Sequence, residues 1–473
     1  MTKTGGNGGG ADEGHYDLIV IGSGPAGQKA AIQGAKLRKK VAIVESGDEI
    51  GGVCTNTGTI PSKSFREAVL YLSGFRERSI YGSAYRVKSR ITMEDLTYRI
   101  ESIVRHENDV IESQLRRNQI EILKGKASIL DPHRVVIEGS GSITIKTADY
   151  IVVAVGTKPH HPEGFEVDGV RVLDSDDILT LKELPRNLTV VGGGIIGVEY
   201  ASMFAVLGVH VTLVEQRKDL LTFVDKEIVE SLQYHMRNLG ITLRLGEEVG
   251  SVLVRADGQV ETRLRSGKKI VSEVVLISAG RQGATEGLNL ELVGVKPDKY
   301  GRIKVNENYQ TEVPHIYAVG DVIGFPSLAS TGMTQGRLAT SHAFGIRDAS
   351  ENIPLPYGVY TIPEISLVGE TEASLTEKQI PYETGISRYK EIARGQLIGD
   401  ELGMLKLIFH LETHQLLGIH IIGEGATEIV HLGQAVLHLK GGLEYLTAGV
   451  FNYPTLTECY KVAALDGLNK LRA

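Results

Sequence analysis

The residues best placed to do chemistry in this chain are glycines. GSGPAG from Gly22 to Gly27 and GGGIIG from Gly192 to Gly197 share one spacing, and an acid follows each, Glu45 and Glu215, 23 positions after the first glycine. The first glycine of such a run (Gly22, Gly192) permits a tight strand-to-helix turn. The second (Gly24, Gly194) lets backbone approach a pyrophosphate, and the third (Gly27, Gly197) lets a helix pack closely. A helix beginning there offers free N–H groups and a positive dipole end to phosphates, while the acid accepts from ribose hydroxyls. One run alone is weak evidence; two copies, each in the full order strand, turn, helix, strand, acid, point to two dinucleotide sites.

The surrounding elements repeat as well. DLIVIG from Asp17 reads as a buried strand, followed by a small-residue helix to about Leu37 and the strand VAIVE ending at Glu45. LTVVG from Leu188, a helix through Val206 and VTLVE ending at Glu215 restate the plan. Each copy then runs through a helix-rich stretch and a Gly-punctuated meander to a strand ending at Gly156 or Gly280, and HIYAVGD, ending at Asp321, is expected to return to the first sheet. The apolar positions Leu96, Ile100, Ile103, Val104, Val110, Ile111 and Leu115 predict an amphipathic helix from Met93 that packs on the first nucleotide domain. From Pro354, strands around Ser366–Gly369, Leu405–Leu411 and Leu417–Ile422 and then two helices suit an α+β domain. The expected fold is α/β: two Rossmann-like dinucleotide-binding domains and a C-terminal α+β domain. The boundaries read 1–15 for a flexible tail, 16–157 and 284–352 for the first domain, 158–283 for the second, and 353–473 for the last.

The composition narrows the function. With 473 residues the chain is long enough for several domains. Its 51 Lys plus Arg against 58 Asp plus Glu give a net charge of −7, and no Lys/Arg run exceeds three, which argues against nucleic acid or an anionic membrane as partner. Two cysteines, Cys54 and Cys459, make no disulfide framework, so a reducing cytoplasmic setting is expected. The first fifteen residues lack the apolar core of a signal peptide, and no apolar stretch is long enough to span a membrane.

GGVCTNTGTIPSK, Gly51 to Lys63, resembles the redox-active helix start of the glutathione reductase and dihydrolipoamide dehydrogenase superfamily, whose pattern is GGxCxxxGCxPxK. Cys54 matches the first cysteine; Thr59 stands where the second should be. FNYPTLTE, Phe451 to Glu458, resembles the superfamily's HPT…E motif, with Tyr453 at the His position and Glu458 at the Glu. Both halves of the dithiol chemistry are therefore missing. A single cysteine with TIPSK and a FNYPT ending, together with ALDGLNKL and GEGATEIVHLGQA, is similar to the soluble, Si-specific pyridine nucleotide transhydrogenases over about 16 to 470.

The resemblance implies FAD as cofactor and NAD(H) and NADP(H) as substrates. Gly22, Gly24, Gly27 and Glu45 would hold the ADP part of FAD, Gly51, Gly52 and Cys54 would line the flavin side, and Asp321 would bind the ribityl chain. Ala329 and Gly336 would lie at the flavin edge. Lys63 and Glu199 match the ion pair that the superfamily places beside flavin N5, where a cation assists a hydride acceptor. Gly192, Gly194, Gly197, Glu215, Arg217 and Gly280 would serve the nicotinamide dinucleotide. The implied reaction is ping-pong hydride transfer between NADPH and NAD⁺ in a homodimer or larger homo-oligomer. Two other readings stand beside it: a relative without the dithiol that passes electrons to a quinone or dioxygen, and a flavin-bearing NAD(P)H-sensing subunit.

Several features read as structural. His410 and His414 have a zinc-like spacing, but LKLIFHLETHQLLGIH reads as a hairpin in which they share no helical face, and no metal site is expected. His431 and His438 read as interface or solvent residues, and Cys459 as a small buried hydrophobe.

Overall fold

The apolar run at Asp17 forms a strand over His15–Ile21, parallel to Val41–Glu45 on one side and to Ser142–Val153 on the other. Described in a computed structural model are residues 14–346 and 353–472. The expected tail lies outside them up to residue 13, and its end is corrected: His15 pairs with Thr147, so sheet pairing claims it. The described residues fall into two units, one of 14–62, Ile100–His160 and 281–346, the other of Lys63–Arg99, His161–Gly280 and 353–472.

The first unit is built on a seven-stranded sheet in the order Glu121–Lys124, Val41–Glu45, His15–Ile21, Ser142–Val153, Arg134–Gly139, Lys126–Asp131. Ile316–Ala318, the expected returning strand, pairs in parallel with Ser142–Val153. Both faces of its parallel part are covered, which is why these strands are apolar without alternation. Leu18, Val20, Ile43, Val152 and Tyr317 pack on one face with Ala30, Ala31 and Ala339. Of the expected apolar stripe on the long helix Met93–Arg117, Ile111 and Leu115 join the same core. Ile19, Ile21, Val44, Ile137 and Val153 fill the other face. The helix Pro25–Lys36 lies against Ala329–Ala343, where a Cβ on Gly336 would come 2.1 Å from the Ala26 carbonyl oxygen.

The second unit holds a parallel sheet in the order Thr242–Leu245, His210–Glu215, Asn187–Val191, Val274–Ile277, Val172–Leu173, and a separate meander of Val249–Val254, Val260–Leu264 and Lys269–Ser272. Its helix Ile195–Val206 is buried almost all round, carrying Glu199 into the interior. An antiparallel sheet follows in the order Tyr357–Val359, Ile365–Gly369, Leu416–Ile422, Met404–His410, Tyr382–Arg388. Its two outer strands escape the sequence reading because one has three residues and the other, YETGISR, is half-polar. Three helices, not two, follow: Ala426–His438, Leu443–Ala448 and Glu458–Lys470. The middle one spans six residues, too short for a periodic signal. His410 ends its strand and its Nδ1 accepts from the N–H groups of Glu412 and Thr413, so it shapes the hairpin turn.

Candidate functional site

Each glycine run makes the turn that its spacing predicts. Gly22 has φ 105° and Gly192 has φ 111°, both in the region that favours glycine. A Cβ on Gly27 would lie 1.9 Å from the Gly22 carbonyl oxygen, and one on Gly197 would lie 1.9 Å from that of Gly192, so each helix presses on its own turn. Gly24 and Gly194, by contrast, face open space at the helix entrances. Neither first turn carries an acid, so nothing there opposes a phosphate.

The two acids are held differently. Glu45, buried, accepts from the Ser23 N–H at 3.1 Å, the Ser23 hydroxyl at 2.5 Å and the Gly47 N–H at 2.7 Å. The Ser23 hydroxyl also accepts from the Gly51 N–H at 2.8 Å, tying the start of the GGVCTN segment to the first turn. Gly52 packs against it too, since a Cβ there would meet Gly24 Cα at 2.9 Å. These contacts form a backbone-lined cradle of the kind a dinucleotide's phosphates require, and the residues present fit FAD.

In the second cradle Glu215 accepts from the Gly193 N–H at 2.6 Å, the Arg217 N–H at 2.9 Å, and the Arg217 guanidinium at 3.0 and 3.3 Å. Burial pushes this carboxyl up, but the Arg217 side chain and the two backbone donors outweigh it and hold it below the ordinary range. Sequence spacing foresaw both residues but not that they bond each other.

Cys54 lies half-buried on the short helix Gly52–Asn56, and Thr59 opens the next helix, Thr59–Ser73. Lys63 follows one turn in, and its Nζ donates to Glu199 Oε2 at 2.7 Å; Glu199 is only 4% exposed. The other carboxylate oxygen accepts from the Tyr360 N–H at 2.8 Å. The two residues paired by motif are thus paired in space, and a third residue, without a motif of its own, joins them.

Asp321 sits in the turn Gly320–Ile323. Burial raises its carboxyl, against the pull of Arg281. Ala329 begins its helix, and Gly280 has φ 108° with open space beside it. Glu458 accepts from the Thr455 N–H at 3.3 Å, a contact within its own helix start, and Tyr453 is 75% exposed. Cys459 is fully buried, which pushes its thiol up to about 12 and leaves it inert.

The family model described as pyridine nucleotide-disulphide oxidoreductase matches residues 16–336, and the model of that family's dimerisation domain matches 355–464. A soluble pyridine nucleotide transhydrogenase of Mycobacterium bovis is 55% identical over 97% of this chain and 98% of its own length. One from Colwellia psychrerythraea is 44% identical over 96% and 98%. The crystal structure of LpdA from Mycobacterium tuberculosis superposes with a TM-score of 0.87 at 25% identity, covering 95% of this chain and 99% of that one.

Proposed function

The chain belongs to the pyridine nucleotide-disulphide oxidoreductase family, and we propose that it transfers hydride between NADPH and NAD⁺ without a redox-active disulfide. The observation that carries this reading is that the GGVCTNTGTIPSK segment has one cysteine, Cys54, with Thr59 at the second cysteine's place, in a chain that keeps both dinucleotide cradles and the Lys63–Glu199 pair. FAD, when bound, supplies the hydride-accepting and hydride-donating chemistry. Gly22, Gly24, Gly27 and Glu45 would hold its dinucleotide portion; Gly51, Gly52, Cys54, Asp321 and Ala329 would line the rest. Gly192, Gly194, Gly197, Glu215, Arg217 and Gly280 would bind both coenzymes in turn at one site. Lys63 supplies a fixed positive charge, and Glu199 orients it. No side chain has to move a proton, so the chain's work is binding, orientation and charge placement.

The division into 16–157 with 284–352, 158–283 and 353–473 belongs to the same proposal, as do a homodimer built on the last segment and a cytoplasmic setting. Among the described residues no helix is long and apolar enough to cross a membrane. Initial rates over a grid of NADPH and NAD⁺ concentrations test the single alternating site: parallel reciprocal lines are expected, and intersecting lines contradict it.

Two substitutions probe the parts. Cys54→Ser leaves transfer largely intact, because Thr59, at the second cysteine's place, cannot close a disulfide that would store two electrons. A loss of more than about 100-fold in turnover with FAD retained, about 2.7 kcal/mol of barrier, contradicts this. The wild-type protein is likewise expected to reduce neither lipoamide nor glutathione disulfide.

Glu215 and Arg217 set the coenzyme balance. A ribose diol calls on the Glu215 carboxylate, whereas a 2′-phosphate calls on the Arg217 guanidinium that Glu215 now holds. Glu215→Ala is expected to weaken NADH by about 1 to 2 kcal/mol. Arg217→Ala is expected to weaken NADPH selectively. Dissociation constants of both coenzymes for each variant decide the matter; equal effects on the two show that this loop does not discriminate them.

A further inference from the structure

Tyr360 touches both members of the ion pair with different atoms. Its N–H donates to Glu199 Oε1 at 2.8 Å, while its ring face lies under the Lys63 ammonium, with Nζ 4.9 Å from the ring centroid. Glu199 Oε2 is the atom that Lys63 Nζ bonds at 2.7 Å, so the carboxylate is gripped at both oxygens. The Lys63 side chain remains 27% exposed, and an ammonium on a flexible four-carbon stem can turn to water. A ring face opposes that, because its negative quadrupole attracts the cation.

The segment that carries the ring is well anchored. Next along the chain, Arg66 Nε donates to the Thr361 carbonyl at 3.1 Å, and the Ile362 N–H donates to Ser202 Oγ at 3.2 Å. Ser202 lies on the helix that carries Glu199. The segment bearing Tyr360 is therefore bonded to both helices that bear the pair.

We infer that Tyr360 is a positioning residue for hydride transfer, its ring face holding the Lys63 ammonium against Glu199. The rate effect rests on the proposed function; the effect on Lys63 itself does not. Tyr360→Leu deletes the ring but keeps the backbone bond to Glu199, and Tyr360→Phe keeps the ring but deletes the hydroxyl. Tyr360→Met, unbranched and ringless, replaces the Leu variant if that one loses FAD.

The holoenzymes are compared by two readouts. One is the limiting stopped-flow rate of cofactor reduction by NADPH, with the KM for NADPH. The other is the rate at which a pulse of an acetylating N-hydroxysuccinimide ester modifies Lys63, read by peptide mass spectrometry. Loss of the ring is expected to slow reduction about 10-fold with KM changed less than about twofold, and to speed Lys63 acetylation about fivefold. Tyr360→Phe is expected to stay within about twofold of wild type in both. Unchanged acetylation of Lys63 in the ringless variant overturns the inference, as does faster acetylation with an unchanged rate. So does a Phe variant as impaired as the Leu variant, which assigns the effect to the hydroxyl rather than the ring. A wild-type protein that transfers no hydride overturns the proposed function instead and leaves the acetylation result standing.

Discussion

Lys63→Met is expected to slow hydride transfer by about 100-fold or more, the scale seen when one fixed charge aimed at a reacting group is removed from a preorganised site. Lys63 is bonded to a carboxylate that is 4% exposed, so the charge is fixed in place before any coenzyme arrives. Methionine fills similar space without charge and leaves Glu199 bonded to the Tyr360 N–H alone among these partners. Neither cradle contains Lys63, so dissociation constants for NADH and NADPH are expected to change by less than about twofold, about 0.4 kcal/mol. Stopped-flow reduction at saturating NADH separates the two effects. An unchanged limiting rate takes Lys63 out of the catalytic reading, and a large loss of binding with an unchanged rate turns it into a binding residue.

The second large effect is on stability. Lys406, on the strand Met404–His410, is 1% exposed and its ammonium meets three carboxylates: Asp225 at 2.8 Å, Glu227 at 3.0 Å and Glu372. Asp225 is itself 2% exposed and caps the helix Lys226–Asn238 by accepting from the Glu227 N–H. Replacing Lys406 by Met leaves a buried carboxylate beside two others with no cation, and breaking such a cluster costs about 3 to 5 kcal/mol. Urea denaturation of holoenzyme and variant at matched concentration measures the loss.

The pH dependence of that loss follows from Asp225. Burial raises its carboxyl, but the Lys406 ammonium more than offsets this, and the group lies below its ordinary 3.8. Its contribution is therefore complete above 3.8 and fades as the pH falls through the lower folded value. His420, buried and pushed down by burial, also resists protonation and acts in the same direction. The gap between wild type and Lys406→Met is expected to narrow below about pH 4. A gap independent of pH assigns the loss to packing rather than charge.

Much of the architecture was legible because its signals are local. The spacing of Gly22, Gly24 and Gly27, repeated at Gly192, Gly194 and Gly197, dictates a turn that only a glycine backbone makes, and the apolar strands around it had to be buried on both faces. The return of Ile316–Ala318 to the first sheet was readable for the same reason. What was hidden depends on contacts far apart in sequence. Nothing near Tyr360 signals that it grips Glu199 and underlies Lys63. Nor does the Lys406 strand announce that one buried position is an ammonium awaiting carboxylates from Asp225 and Glu372. Arg217 was visible as a cation two residues beyond Glu215, but its bond to that acid is a property of the folded loop. The short helix Leu443–Ala448 and the strand Tyr357–Val359 were missed because a few residues carry no period.

In the proposed reaction nicotinamide dinucleotide is both donor and acceptor, and mixing the purified holoenzyme, without oxygen, with NADPH and a chromogenic NAD⁺ analogue while following the analogue's reduction puts this to the test. Rapid transfer is expected with no other component present, and no acceleration on adding a quinone. An analogue that stays oxidised while NADPH is consumed only after quinone is added would contradict it, and would make the protein an electron donor to quinones instead.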